Sequence, residues 1–242
     1  MAYIYNTEVS THDIDINGNA KPSAVLRYLQ EAANKNFADM GPSYNELIDN
    51  NLSFIVSRSA INILSPLKEL DKISVHTWAT QNSGVVFPRS YIIKSEDKIL
   101  VEALMNWALI DTKEQRFVRG SEFDVSVYGT NEPLDISTRF KIPKELDLSF
   151  VGEKKVMYSD IDKNRHMNNT VYPNVLFNFI PNIENLFVSK MLINFVSEAP
   201  LGKTLKIFMS QGEENENGLN YYFRTTIDDK TNIEAMIRVS EI

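Results

Sequence analysis

The sequence predicts an α+β chain in which a mostly antiparallel sheet curls around a central helix, the whole unit occurring twice in tandem. Three observations carry this reading. Displaced by 132 positions, the chain lays "VSRSAINILS" (56–65) on "VSKMLINFVS" (188–197), and the register runs on without a gap through "DK" 97–98 on 229–230 and "EA" 102–103 on 234–235. Displaced by 147, Asp13-Ile14-Asp15 and Asn17 fall on Asp160-Ile161-Asp162 and Asn164. Ile73 and Val75, matched by Leu205 and Ile207, alternate with the period of half-buried strands, whereas Val25, Tyr28, Leu29, Ala32 and Ala33 follow helical spacing.

Each copy is expected to run as a short strand, a long helix and then several strands ending in a hairpin. Tyr172, Val175, Leu176 and Phe179 mark the second helix; Pro173 belongs in a first turn, so that helix should begin near Asn169 or Thr170, either of which can cap it. The change of offset gives the first copy about fifteen extra residues between its helix and its second strand, expected as a surface loop in or near "MGPSYNELIDNNLSF". "SEDK" and "DDKT" supply matching hairpin turns. Residues 111–150, with Pro133 and Pro143, have no counterpart in the second copy and read as a connection.

Composition narrows the chemistry. With 242 residues and 43% apolar content the chain can bury a substantial core. The densest apolar run, "ILVEALMNWALI" at 99–110, carries Glu102 and is too short to span a bilayer, and "MAYIYNTEVS" lacks the features of a secretory signal, so a cytoplasmic protein without a membrane span is expected. Zero cysteines exclude a thiol nucleophile and thiolate metal sites. A net charge of −7 disfavours nucleic acid, whose binding needs neutralised phosphates. No metal-ligand cluster, glycine-rich phosphate loop or Gly-x-Ser-x-Gly elbow is found, and no cofactor or metal is expected.

The chemistry-bearing stretch is "MYSDIDKNRHMNNTVY" at 157–172. Asp162, Asn164 and His166 are spaced by two, so an extended segment would turn all three to one side, just ahead of a helix N-terminus suited to a developing oxyanion. Acyl transfer or hydrolysis is the natural reaction class. The first copy has Asn19 at the His166 position and Pro66 opposite Glu198, so both groups suited to proton transfer are present in one copy and missing from the other. His12 reads as a turn residue and His76, out of phase with Ile73 and Val75, as structural.

The run "DKNRHMNNTVY", Asp162 to Tyr172, resembles the second-half signature of the acyl-ACP thioesterases of plants and bacteria, and "GPSYNELIDNNLSFIVSR", "ISVHTW" and "NWALID" resemble first-half segments of that family in the same order. The resemblance implies two tandem hotdog domains, each an antiparallel sheet wrapped around a central helix: an acyl-binding copy over 1–130, a linker over 131–150 and a catalytic copy over 151–242. It also implies that Asp162, Asn164 and His166 act with Glu198. The sequence departs from the family at Val196 and Ser197, which replace arginines, at Val175, which replaces a tryptophan, and at Ala199, where some members have a cysteine.

The expected reaction is hydrolysis of fatty acyl-ACP thioesters in a bacterial cytoplasm, by attack of Asp162 or by a water that Glu198 activates. A hotdog acyl-CoA thioesterase, a 3-hydroxyacyl-thioester dehydratase and an acyl-thioester sensor are the alternatives. Leu26, Leu29, Ile73, Trp78 and Trp107 are candidates to line or support an acyl tunnel, and Asn168 and Asn169 to bind substrate. Lys163 and Arg165, alternating with the candidate catalytic set and so facing outward, are expected to dock the acidic carrier protein; a homodimer is the expected assembly.

Overall fold

In the computed structural model, residues 2–82 and 84–241 are described. The first copy comprises β1 (Tyr3–Glu8), α1 (Pro22–Met40), α2 (Tyr44–Asp49), β2 (Leu52–Ile63), β3 (Lys72–Ala79), β4 (Val86–Ser95), β5 (Lys98–Asp111) and the short β6 (Arg116–Phe117). The second comprises β7 (Ser149–Lys155), α3 (Tyr172–Phe177), β8 (Leu186–Phe195), β9 (Thr204–Met209), the short β10 (Glu213–Asn215), β11 (Gly218–Ile227) and β12 (Lys230–Glu241). Strand for strand, β2 to β5 lie over β8, β9, β11 and β12 at the sequence offset.

Among the described residues twelve strands join one antiparallel sheet, whose main path runs β1-β3-β4-β5-β2-β8-β12-β11-β9-β7, the second half mirroring the first. The halves meet at β2–β8, where Arg58 pairs with Asn194, Ala60 with Leu192 and Asn62 with Lys190. Ala60 and Leu192 are equivalent residues of the two copies, so this register is a pseudo-two-fold axis. Antiparallel pairing of equivalent strands satisfies both edges at once and leaves no open edge in the middle of the sheet.

One face of the sheet carries the main core. α1 lays Val25, Leu29, Ala32 and Ala33, all inaccessible to solvent, against Ile61, Val75, Ile93 and Val101. On the other face Ala60, Leu192 and Met236 form a smaller cluster covered by Ile136 and Phe140 of the connecting segment. Leu192→Ala removes the centre of this cover at the join, and is expected to cost about 2–5 kcal/mol, read as a lower urea midpoint with an unchanged slope.

Two expectations need correction. The second helix is not long: α3 spans six residues and begins at Tyr172, with Val171 before it making no side-chain cap, rather than at Asn169 or Thr170. Phe179 and Ile180 already bond three residues back, to Leu176 and Phe177, and Pro181 followed by left-handed Asn182 turns the chain away. The extra residues of the first copy are likewise not a simple loop. They extend α1 to nineteen residues and build α2, which Ser43 and Glu46 close with reciprocal side-chain-to-backbone bonds.

Between the two helices Gly41 passes so close to the Tyr128 ring that a Cβ there would come within 2.4 Å of it. The Tyr128 hydroxyl donates to the Pro42 carbonyl at 2.9 Å. This contact aims α2 across the molecule toward the second copy.

Candidate active site

Residues 161–167 form a closed turn. Ile161 bridges Met167, Asp162 N–H donates to the His166 carbonyl (3.1 Å), and Arg165 N–H donates to the Asp162 carbonyl (3.0 Å). Asp162 Oδ1 accepts the Asn164 N–H at 2.8 Å, the local bond that makes Asp a turn former. The expected extended geometry is thereby corrected: the spacing of two is set by a turn, with Arg165 in the left-handed region at φ 65°. The first copy repeats the turn bond for bond, with Gly18 at φ 69° in the Arg165 position.

The turn is tied at its base to the segment after β8. His166 bridges Pro200, and Met167 N–H donates to the Ala199 carbonyl at 2.9 Å. That strand-like contact brings the Glu198 carboxylate to 3.1 Å from His166 Nε2. The His166 side chain is 32% exposed and that of Glu198 62%, so the pair is open to water and to a substrate.

Asn164 meets the first copy. The Tyr44 hydroxyl, on α2, donates to Asn164 Oδ1 at 2.8 Å, which orients the amide and leaves its NH₂ to donate elsewhere. Tyr44 escapes sequence reasoning because α2 has no counterpart in the second copy; only its place within "GPSYNELIDN" hinted at a role. Lys163 is exposed and reaches toward the first copy. Its ammonium lies 3.5 Å from the centre of the Tyr44 ring, and desolvation there draws it below the usual lysine range against the opposing pull of Asp162. Arg165 is exposed, and forms no salt bridge among the described residues.

The other candidates scatter. Asn168 Oδ1 accepts from both the Thr170 N–H and its hydroxyl, each at 2.9 Å, so it shapes the approach to α3; Asn169 follows it, half-buried. Leu26, Leu29 and Ile73 are packed in the main core. Trp78 lies under the connecting segment, donating its indole N–H to the Glu132 carbonyl at 2.8 Å, away from α1. Trp107 joins Phe37, Phe54 and Tyr128 around a void of about 20 Å³ beneath the end of α1, room for about one water. Arg89 also reaches this void, donating to Asn36 and Thr77; burial pushes its guanidinium down from the ordinary value.

The arrangement therefore combines a carboxylate–imidazole pair, a second carboxylate and an amide donor within one turn and its neighbour. Comparison with known proteins identifies the setting. The profile of the acyl-ACP thioesterase N-terminal domain matches residues 2–124, and that of the C-terminal domain residues 144–240. The chain belongs to the acyl-ACP thioesterase family. It is a thioester hydrolase acting on fatty acyl-ACP, with the acyl carrier protein as its partner.

Among solved structures this thioesterase resembles an acyl-ACP thioesterase from Bacteroides thetaiotaomicron, with 20% identity and a TM-score of 0.83 over 99% of this chain and 98% of that one. It also resembles the 12:0-ACP thioesterase from Umbellularia californica, with 16% identity and a TM-score of 0.84 over 100% and 94%. At these identities the likeness speaks to the fold, two tandem hotdog units in an α+β architecture. Among the described residues no helix of the thioesterase is long and apolar enough to cross a membrane.

Proposed function

We propose that acyl-ACP hydrolysis in this chain is carried out by Asp162, Asn164, His166 and Glu198 of the second copy, by direct attack of water. The observation that supports water over a carboxylate nucleophile is the 3.1 Å contact between His166 Nε2 and an open Glu198, while one Asp162 oxygen is engaged by its own turn. Glu198 takes a proton from water as the oxygen adds to the thioester carbon. The Asn164 amide, oriented by Tyr44, donates to the resulting oxyanion. On collapse the carbon–sulfur bond breaks, and the proton passes through the Glu198–His166 pair to the leaving thiolate. Asp162 then serves to hold the turn. Intact-mass measurement of Glu198→Gln quenched during turnover tests this: an adduct of one acyl group would restore Asp162 as the nucleophile.

In this reading residues 1–130 hold the acyl chain, 131–150 connect, and 151–242 carry the chemistry. α2 links the two tasks, since Tyr44 touches the turn while Leu47 packs in the core that includes Phe37 and Phe54. The aromatic ring of residues around the small void then acts as the floor of the acyl site. Phe54→Ala deepens that floor. At roughly 0.8 kcal/mol per buried methylene, product profiles from mixed acyl-ACPs are expected to move toward acids a few carbons longer. An unchanged profile would return Phe54 to packing alone.

Carrier docking falls chiefly to Arg165, with the exposed Lys163 beside it. A non-glycine residue at φ 65° carries a conformational cost that the first copy avoids with Gly18, which favours a use for this side chain. Arg165→Gly keeps the turn, and is expected to raise KM for acyl-ACP and flatten its salt dependence, leaving a small uncharged thioester much less affected. Equal losses on both substrates would place Arg165 in the scaffold instead. A bacterial cytoplasmic location and a homodimer complete the reading; the exposed Phe150 on the edge strand β7 offers apolar surface for self-association, which light scattering measures directly.

A further inference from the structure

The pseudo-two-fold axis that sets the second copy's turn against α2 sets the first copy's turn, Asp15–Asn19, against the region between α3 and β8. Asn17 Nδ2 donates to the Glu184 carbonyl at 2.7 Å, the positional counterpart of the Tyr44–Asn164 contact. Here, however, there is no second α2. α3 stops after six residues, and the space that the longer α1 and α2 fill in the first copy is left as a cavity of about 470 Å³. That is within the size range of small-molecule sites, about 300–1,000 Å³, and far larger than the void beneath the end of α1.

Its walls are apolar: Ile63, Leu67, Phe177, Leu186, Phe187 and Val188. On its turn side are Asn19, where the other copy has His166, and Pro66, where it has Glu198. The Asn19 side-chain oxygen accepts from Lys68 Nζ at 2.6 Å, and Asp15 Oδ1 accepts the N–H groups of Asn17 and Asn19. No imidazole–carboxylate pair stands ready to move a proton. Around it the carboxylates of Asp15 and Glu184 stand against the ammonium groups of Lys21 and Lys68, with no excess of either sign among them, and the amides of Asn174 and Asn178 supply hydrogen-bond donors and acceptors.

We propose that this cavity is a second, non-hydrolysing binding site for one fatty acyl chain on an uncharged, hydrogen-bonding head. With no excess of positive charge to hold it, a carboxylate head would lose its hydration without compensation, so the free acid released by the reaction is the poorer ligand. The choice of an acyl ligand rests on the acyl-thioester reading above; the existence of the site rests on the cavity. An uncharged head can come from an acyl-pantetheine thioester or from a monoacyl ester.

Isothermal titration with the non-hydrolysable thioether S-dodecyl-pantetheine counts the sites, with monolaurin and laurate as the other arms. The native chain is expected to bind two equivalents of the thioether. Asn174→Trp with Asn178→Trp, at exposed positions in α3 and just after it whose side chains line the cavity, removes one equivalent and leaves acyl-ACP hydrolysis unchanged. Ile16→Trp, 82% exposed on the opposite turn, does the same independently should the double variant fail to fold. Monolaurin competing for that equivalent points to an ester lipid as a source, whereas monolaurin failing while the thioether binds points to the carrier's own arm. Stoichiometry unaltered by both cavity fillings overturns the site, and laurate binding there as tightly as the thioether overturns the assignment of the head. A native chain that lacks acyl-ACP hydrolysis but still loses an equivalent on filling contradicts the proposed function and not this inference.

Discussion

His166→Ala is expected to lower kcat for acyl-ACP by about 10²- to 10⁴-fold, the range for a lost general acid or base, with little change in KM. Glu198→Gln should fall in the same range, and the double variant should be scarcely worse than either single one, because the two groups act as a pair joined by the 3.1 Å contact. The His166 side chain is partly exposed, and the turn is held by backbone bonds and by Asp162 Oδ1 and not by the imidazole, so its truncation leaves the fold in place. Asn19, its counterpart in the first copy, provides the control: Asn19→Ala is expected to leave kcat unaltered. Multiplicative losses in the double variant would show that Glu198 and His166 work in separate steps.

Asn164→Ala is expected to cost about 10²- to 10³-fold in kcat, the usual consequence of losing one oxyanion donor. The more discriminating variant is Tyr44→Phe. It keeps the ring on which Lys163 rests but deletes the hydroxyl that donates to Asn164 Oδ1, so the amide is present and no longer oriented. A partial loss is expected, entirely in kcat, and in Asn164→Ala background Tyr44→Phe should add nothing. Additive losses in the double variant would mean that Tyr44 acts on the substrate itself. In contrast, Asn17→Ala breaks only the bond to the Glu184 carbonyl and should cost stability rather than rate.

How much of this was legible beforehand follows from which interactions are local. The repeat, the strand periods and the hairpin turns are written into neighbouring residues, and each reappears in the structure at the expected offset. So does the chemistry of the Asp-x-Asn-x-His run. Its geometry was misread, because alternation alone cannot tell an extended segment from a turn closed by an Asp side chain. The distinction depends on Asp162 Oδ1 reaching back to the Asn164 N–H and on Arg165 accepting a left-handed backbone. Helix length was misread for a related reason: Phe179 keeps the apolar spacing of α3 although the chain has already turned toward Pro181.

By itself the sequence determined that the chain is duplicated, that only one copy carries a histidine and a glutamate at corresponding places, and that no thiol can take part. Those are matters of residue identity and spacing along one chain. The tertiary structure decided which residues meet: His166 with Glu198 through the bridge to Pro200, Asn164 with Tyr44 across the copies, and Lys163 with the Tyr44 ring. It also decided that an open apolar cavity lies between the silent turn and the second copy, which lacks an α2. The contacts between copies depend on the β2–β8 pairing, which docks one half against the other and leaves no period in either, whereas His166 and Glu198 meet within the second copy through the bridge to Pro200.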